Sequence, residues 1–293
     1  MIPRVSAVIP TYNNSVLLRE AIESVRSQDM PDLEMVIVDD GSDDDTIDVL
    51  GSLKGSDIRV ARQANGGPAK ARNLGISLSR GQWIAFLDDD DLWLPGKLKN
   101  QMEAIQRHPD VGFSYTDVIL HYESGKEVVH IPKHWGADIF NGLLWGNQLA
   151  TDTVIVRRDC LQAVGGFNEN FRTGEDWDLW LRLAARFESI YVPKHLTFCR
   201  PPANRGTKYN MRIYESCTLS VLDDLFADET IVSAHPHLSN LRERLYAFHY
   251  SVLAKSYLHQ RRLADWWRLA RLSVQSDSSG WLYLMPSFFA NGR

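Results

Sequence analysis

Short apolar runs rich in β-branched residues alternate with segments of helical periodicity along the first third of the chain. Runs typical of buried strands occupy residues 5–10, 33–40, 58–63 and 83–89. A helical pattern follows each run, beginning at Ser15, behind Ser42, near Pro68 and at Pro95. Strands and helices that alternate in this way predict an α/β fold with a mostly parallel sheet, covered by helices on both faces.

The alternation loosens beyond residue 111. Further strands are expected at residues 111–120, 126–131, 153–158 and 189–193, and further helices at 137–145 and 175–187. A turn at Ser124-Gly125 separates the first two of these strands, and Pro201-Pro202 marks a boundary. From about residue 209 to 284 the pattern is helical only. We therefore expect an α/β domain over residues 1–205 and a C-terminal α-helical extension over 206–293.

Composition excludes several classes of protein. Of the 293 residues 44% are hydrophobic and 24% are charged, which is typical of a globular chain. The net charge is −5, but ten Asp lie within residues 39–48 and 88–91, so the acidity is local and does not indicate a nucleic-acid partner. The three cysteines form no CxxC pair, which argues against a zinc or redox site and favours a reducing cytoplasm. The opening residues lack the pattern of a signal peptide, so none is expected, and no run reaches the length of a membrane span, about 20 apolar residues.

Polar groups follow each of the first four predicted strands. They are Pro10-Thr11-Tyr12-Asn13, Asp39-Asp40-Gly41-Ser42, Asn65-Gly66-Gly67-Pro68 and the four aspartates at 88–91. In open α/β sheets, ligands bind beyond the carboxyl ends of the strands. The sequence therefore predicts that these four groups line one crevice.

Four consecutive aspartates after a buried strand are costly unless their charge is compensated. If the strand continues through them, Asp88 and Asp90 point to one side and Asp89 to the other. Two carboxylates on one side suit Mg²⁺ or Mn²⁺ bound to substrate phosphates. The alternative is that the aspartates cap the next helix or lie solvated in a loop.

Three other motifs each leave two interpretations open. The segment at 39–45 is either a ligand site or a turn with a helix cap at Ser42, although a cap does not explain Asp39. Arg72 in the helix after Gly67 is either a surface charge or an anion contact. The pair Glu175-Asp176 begins a helix, where it is either catalytic or part of a capping box with Thr173.

Five stretches in order resemble the family 2 glycosyltransferases with the GT-A fold. They are VIPTYNN, VIVDDGSDDDT, NGGPAKARNLGI, WIAFLDDDDLWLPGKL and GGFNENF followed by EDWDLWLRLA. The resemblance covers about residues 5–200, and the helical tail carries no motif of the family. It implies inverting transfer of a sugar from a nucleotide-diphosphate donor, with Mn²⁺ or Mg²⁺ as the cofactor.

The resemblance also implies residue roles. The donor-binding residues carried over from the motifs are Pro10, Thr11, Tyr12, Asp39, Arg72, Asp88 and Asp89. Asp90 is the implied metal ligand, with Asp91 left open as the alternative. Asp176, within the Glu175-Asp176 pair, is the implied general base that takes the proton of the acceptor hydroxyl.

A UDP-sugar is the favoured donor, and dTDP- and GDP-sugars stay open. The expected acceptor is a glycan or lipid-linked glycan of polysaccharide or cell-envelope biosynthesis, with Trp93 and Trp145 as candidates for stacking on it. A non-catalytic nucleotide-sugar-binding subunit is the rival function. In the tail, Trp266 and Trp267 among arginines fit either core packing or peripheral contact of a cytoplasmic protein with a membrane.

Overall fold

A computed structural model of the chain describes residues 4–122, 125–132, 139–200 and 210–284. Within these residues the centre is a nine-stranded sheet. The strands are β1 (Val5–Thr11), β2 (Leu33–Asp39), β3 (Ile58–Arg62), β4 (Trp83–Phe86), β5 (Leu92–Trp93), β6 (Phe113–His121), β7 (Glu127–His130), β8 (Ile155–Arg157) and β9 (Ser189–Cys199). They lie in the order β3-β2-β1-β4-β8-β6-β9-β5, and β7 pairs with β6.

Helices cover both faces of this sheet, as the alternating pattern predicts. They are α1 (Ser15–Arg26), α2 (Thr46–Ser52), α3 (Pro68–Leu78), α4 (Lys97–Arg107), α5 (Ile139–Leu143), α6 (Arg158–Val164) and α7 (Glu175–Ala184). Every residue of β1 is buried, because Val8 packs into the cluster on one face and Ile9 into the cluster on the other. Burial on both faces explains why the run is mainly apolar, and each buried apolar side chain contributes roughly 1.5–3 kcal/mol.

The first four strands are parallel and the rest of the sheet is mixed. Val8 of β1 lies opposite Val36 of β2 and Phe86 of β4 in parallel register. Strand β8 then runs antiparallel to both β4 and β6, while β6 and β9 are parallel. The predicted α/β fold is confirmed, and the four strands whose ends carry the polar motifs form one continuous parallel block.

Strand β4 ends at Phe86, three residues before the predicted end. Asp89 and Asp90 lie in a turn, so the alternation of side chains along a strand does not decide where they point. Ser42 does not cap α2, since its Oγ accepts a hydrogen bond from the backbone N of Asn13 at 2.9 Å instead. The predicted cap is wrong because the acidic residues at 43–45 precede the helix and do not form its first turn.

Element boundaries in the second half also differ from the pattern. The strand predicted at 153–158 contains only Ile155–Arg157, because a 3-10 turn occupies Thr151–Thr153 and α6 begins at Arg158. The strand predicted to end at 193 continues to Cys199. The turn residue Ser124, the start of the helix predicted at 137–145 and the boundary at Pro201-Pro202 lie outside the described residues.

The tail is helical, as predicted. Its helices are α8 (Met211–Ala227), α9 (Glu229–Ala234), α10 (His237–His259), α11 (Leu263–Ser276) and α12 (Gly280–Leu284). Leu222 of α8 and Leu245 of α10 belong to the same buried cluster as Phe113 of the sheet and Trp180 of α7. The tail therefore shares a core with the α/β region. None of the helices in the described ranges has the length and hydropathy that a membrane span requires.

The two adjacent tryptophans of α11 have different surroundings. Trp266 packs against the cluster formed by α8, α10 and α11, whereas Trp267 is 65% exposed. Leu263, one turn before Trp267, is also exposed. Core packing therefore explains the position of Trp266, whereas Trp267 lies on the surface.

Candidate active site

A crevice of about 860 Å³ lies beyond the carboxyl ends of the parallel strands. All four polar groups predicted to converge there contribute to its walls. The predicted site residues that line it are Pro10, Thr11, Tyr12, Arg72, Asp88, Asp89, Asp90, Glu175 and Asp176. Its volume lies within the usual range of small-molecule sites, about 300–1,000 Å³.

The end of β1 is tied to the aspartate run. Thr11 donates its hydroxyl to Asp89 Oδ2 at 2.5 Å, and Asn14 Nδ2 donates to Asp89 Oδ1 at 2.9 Å. Burial raises the pKa of Asp89 to about 6, and these hydrogen bonds oppose that rise. Both oxygens of Asp89 are thus engaged by protein donors, so this residue connects the first and fourth strand ends. Tyr12 is half exposed at the rim.

The two neighbours Asp39 and Asp40 lie in different places, Asp40 in the crevice wall and Asp39 in the interior. Asp40 lines the crevice, and its carboxylate accepts from the backbone N of Gly66 at 2.9 Å and of Gly67 at 2.8 Å. Asp39 is buried, accepts from the backbone N of Ser42 at 2.9 Å and pairs with Arg62 at 3.3 Å. Asp39 is not among the described residues that line the crevice, whereas Asp40 fixes the glycine loop that does.

Arg72 connects the aspartate run to the pair at the start of α7. Its Nη2 lies 2.6 Å from Asp88 Oδ1, and its Nη1 lies 3.0 Å from Glu175 Oε1. The guanidinium also lies 5.3 Å from the centroid of the Phe167 ring. With 4% of its surface exposed, Arg72 is a buried cation between two carboxylates and not a surface charge. Of the two interpretations of its motif, the surface charge is therefore wrong.

Asp176 projects from the first turn of α7. Gly174 precedes that helix with a φ of +77°, a conformation that favours glycine, and no side chain caps the helix end, so the predicted capping box with Thr173 is wrong. Asp176 Oδ1 accepts from the backbone N of Trp177 at 2.8 Å, and Oδ2 accepts from Asn147 Nδ2 at 2.7 Å. Burial and then the neighbouring Glu175 raise the pKa of Asp176 to about 6.

Asp90 and Asp91 occupy different environments. Asp90 is partly exposed in the crevice wall, and its backbone oxygen accepts from Arg200 Nη1 at 2.9 Å. Asp91 is buried and accepts from the backbone N of Arg200 at 2.8 Å. Burial, and then Asp152, raise the pKa of Asp91 well above its ordinary value. Because Asp91 is buried and held by Arg200 whereas Asp90 is partly exposed to the crevice, the environment favours Asp90 over Asp91 as a cation ligand.

The donors near Asp90 fit a hard divalent cation. Asp88 and Asp90 both line the crevice, and carboxylates are the ligand type that Mg²⁺ and Mn²⁺ prefer. Asp91, Asp152 and Cys199 have ligand atoms within 4.8 Å of one another, but all three are buried and one is a soft thiol. The residues present therefore fit Mn²⁺ or Mg²⁺ better at the Asp90 side of the crevice.

The sequence alone missed Asn147, Asp152 and Arg200. Asp152 Oδ1 accepts from the backbone N of Asp88 at 2.6 Å, and its backbone oxygen accepts from Trp93 Nε1 at 3.1 Å. Asn147 lies in a loop, Asp152 in a 3-10 turn and Arg200 directly after β9, so no hydrophobic periodicity marks them. Trp93 itself is 2% exposed, and its predicted stacking on an acceptor is wrong because the ring packs inside, 4.6 Å from the Lys97 ammonium.

Residues 6–160 match the family model described as Glycosyl transferase family 2. An uncharacterized glycosyltransferase of Rickettsia felis is 32% identical over 241 residues, which are 81% of this chain and 40% of that protein. The putative teichuronic acid biosynthesis glycosyltransferase TuaG of Bacillus subtilis is 31% identical over 195 residues, 64% of this chain and 75% of that protein.

Among solved structures, S. aureus TarS 1–349 in complex with UDP-GlcNAc matches with a TM-score of 0.66. The match covers 93% of this chain and 91% of that chain at 16% identity, which shows a shared fold. The chain spans about two fifths or less of the length of the first curated relatives that it matches. Because the family model matches more than half of the residues, the chain belongs to glycosyl transferase family 2.

Proposed function

We propose that the protein is an inverting glycosyltransferase that moves a sugar from a nucleotide-diphosphate donor to a hydroxyl of a glycan or lipid-linked glycan. The observation that carries this proposal is the position of Asp176. Its carboxylate lies in the wall of a crevice that also contains Asp88 and Asp90, with Arg72 and Glu175 between them. A base and a cluster of metal-binding carboxylates in one crevice are what such a transfer needs.

The reaction proceeds by a single displacement. The acceptor oxygen attacks the anomeric carbon from the face opposite the diphosphate, and its proton passes to the Asp176 carboxylate. The bond from the anomeric carbon to the phosphate oxygen breaks, and the diphosphate leaves with the electron pair. Asn147 keeps Oδ2 of the base oriented through its 2.7 Å hydrogen bond. A positioned base of this kind is worth about 10²–10⁴ in rate.

The nucleotide is proposed to lie against the ends of β1 and β2. Thr11 and Tyr12 line this part of the crevice together with Asp40 and Asn65. Asp39 acts from behind the wall by holding the Ser42 backbone at 2.9 Å. Asp88 and Asp89 are proposed to contact the ribose or the sugar, since they lie between this end and Asp176.

Asp90 is proposed as the direct ligand of a divalent metal, Mn²⁺ or Mg²⁺, that accompanies the diphosphate. Such an ion supplies positive charge to the leaving group. Asp88, paired with Arg72 at 2.6 Å, adds a second carboxylate residue to the same crevice wall. Arg200 fixes the Asp90 backbone at 2.9 Å and is itself paired with Glu20.

A UDP-sugar is the favoured donor. The support is the shared fold of TarS, which was solved with UDP-GlcNAc. The transferred group is proposed to be a hexose or an N-acetylhexosamine. The likeness to TuaG, named for teichuronic acid biosynthesis, supports a role in polysaccharide assembly for the cell envelope.

Peripheral contact of this cytoplasmic enzyme with a membrane is proposed to run through α11. Leu263 and Trp267 are exposed on one side of this helix, with Arg271 also exposed nearby. An exposed apolar stripe beside arginines suits the surface of an anionic bilayer. Such contact would bring a lipid-linked acceptor to the crevice.

The first experiment is calorimetric titration of UDP, dTDP and GDP into the protein, each with Mn²⁺ and with EDTA. We expect one nucleotide to bind in a metal-dependent way. Release of free nucleotide from its sugar conjugate, in the presence of an acceptor, then separates the enzyme from a non-catalytic binding subunit. A folded protein that binds none of the three nucleotides would contradict the proposal.

A further inference from the structure

A second cavity of about 270 Å³ opens on the other side of Asp176. One wall is the loop at 145–147 with the start of α7, and the other wall comes from α8 and α10. Asp176 lines both this cavity and the large crevice. The carboxylate assigned as the base therefore lies where the two spaces meet.

Aromatic rings form much of the second cavity. The rings of Trp145 and Phe248 meet edge to face with centroids 5.1 Å apart, and Trp177 lies 5.1 Å from His249. Tyr214 of α8 completes this group. The negative face of an aromatic ring attracts C–H edges, so such walls suit a ring that carries both C–H and O–H groups.

The cavity walls carry little charge. His249 Nε2 lies 2.9 Å from the carbonyl oxygen of Leu144, and because a carbonyl can only accept, Nε2 carries the proton. Burial lowers the pKa of His249 to about 4, so the ring is neutral. Among the described residues that line the cavity, Asp176 is the charged one, and no lysine or arginine is present to hold a phosphate. The described walls therefore suit an uncharged occupant.

Polar groups stand beside the rings. Asn147 and Thr173 line the cavity next to Asp176, and Thr218 faces it from α8. A volume of 270 Å³ is just below the usual range for small-molecule sites, about 300–1,000 Å³. The space accommodates one sugar ring and not a long glycan.

We infer that the second cavity is the acceptor subsite, and that it takes an uncharged pyranose ring whose attacking hydroxyl meets Asp176. This rests on the proposed function, and it assigns the tail a task that the family motifs do not. Helices α8 and α10 supply Tyr214, Thr218, Phe248 and Val252 to the cavity, so they select the acceptor, while the α/β region binds the donor.

The test uses saturation-transfer NMR on the full chain with three uncharged probes: methyl glucopyranoside, methyl galactopyranoside and methyl N-acetylglucosaminide. At least one probe should receive saturation from the wild type. Val252→Phe, which fills the cavity from α10, should weaken that binding about tenfold or more. Val274→Phe makes the same change on an exposed position of α11 and should leave binding unchanged.

Trp145→Leu serves as the second variant, because it removes a wall without adding volume. Nucleotide titration with Mn²⁺ on each variant reports whether the donor crevice is intact. Absence of signal for all three probes, or equal binding by Val252→Phe, Trp145→Leu and Val274→Phe, overturns the inference. Nucleotide binding without glycoside binding refutes the acceptor subsite alone, whereas glycoside binding without nucleotide binding refutes the proposed function.

Discussion

Asn147 donates a hydrogen bond from Nδ2 to Oδ2 of Asp176 at 2.7 Å, across 29 positions of sequence. Its own Oδ1 accepts from the backbone N of Leu149 at 3.1 Å, so the amide is held in place from both ends. This contact stabilises the ionised form of Asp176 and opposes the effect of burial on its pKa. Asn147 is thus a positioning residue for the proposed base.

The substitution Asn147→Ala tests that role. Without the donor, the pKa of Asp176 should rise above about 6, and a base must be ionised to act. The acid limb of the pH profile of kcat should therefore move to higher pH, while donor KM changes little. A profile that keeps its midpoint, in a variant with reduced kcat, would indicate a purely structural role.

The substitution Asp176→Asn removes the base and keeps its shape. We expect kcat to fall by about 10²–10⁴ while metal-dependent nucleotide binding persists. Glu175→Gln is the matched control at the neighbouring position, where the carboxylate pairs with Arg72 at 3.0 Å and is not the proposed base. Turnover by Asp176→Asn at the wild-type rate would remove Asp176 from the mechanism.

The substitution Asp90→Ala tests the metal site. Nucleotide affinity in the presence of Mn²⁺ should fall at least about tenfold, to near the value measured with EDTA. Asp48→Ala is the control, because it removes one carboxylate from an exposed position of α2. Isothermal titration of both variants decides the point, and undiminished metal dependence in Asp90→Ala would shift the ligand role to another residue.

Lys97 gives a prediction about stability. Its side chain is fully buried, donates to Gln101 Oε1 at 2.8 Å, and has a pKa that burial lowers to about 7. Between about pH 7 and pH 10 the unfolded chain binds one more proton than the folded chain at this residue, so stability rises with pH. Lys97→Met should reduce that slope by up to about 1.4 kcal/mol per pH unit.

Urea unfolding at several pH values within that window measures the slope. Lys99→Met is the matched control, since Lys99 is exposed on the same helix and its removal should leave the slope as in the wild type. Parallel slopes for all three proteins would mean that Lys97 stays charged in the folded state.

Trp267 gives a prediction about membranes. Trp267→Ser should lower binding to vesicles of anionic phospholipid about tenfold, since the ring is 65% exposed beside arginines. Val60→Ser is the control, because it changes an exposed apolar residue on β3, in the N-terminal part of the chain. It should leave vesicle binding unchanged. Co-sedimentation with anionic and with zwitterionic vesicles checks both, and failure of the wild type to bind either kind would dismiss the contact.

Hydrophobic periodicity predicted the helices and strands in which each side chain lies clearly on either a buried or an exposed face. In α1 the buried residues are Leu18, Ala21, Ile22 and Val25, whose spacing of three and four positions is that of one helical face. The sequence also predicted that four strand ends converge, because parallel strands bring their carboxyl ends to one edge of the sheet. These inferences rest on local geometry that the sequence carries directly.

The remaining features depend on contacts between distant segments. Asn147 and Asp152 lie in the stretch between α5 and β8, where no repeating pattern marks a role. Just beyond the end of β4 at Phe86, the backbone N of Asp88 donates to Asp152 Oδ1 at 2.6 Å, a contact across 64 positions. Trp93 is interior because its short strand pairs with β9. Such pairings fix side-chain direction, and a single sequence does not encode them locally.

Leu245 of α10 and Trp180 of α7 belong to the same buried hydrophobic cluster. Segments of this chain are therefore difficult to remove or exchange independently in protein engineering. A chain shortened after β9 would expose the apolar side of α7 to water and aggregate. Grafting the helices of a relative would succeed only if the surface of α7 beneath them were exchanged as well. Changing the acceptor specificity of this protein therefore requires redesign of the shared hydrophobic core. Each substituted side chain must fill the volume of the side chain that it replaces.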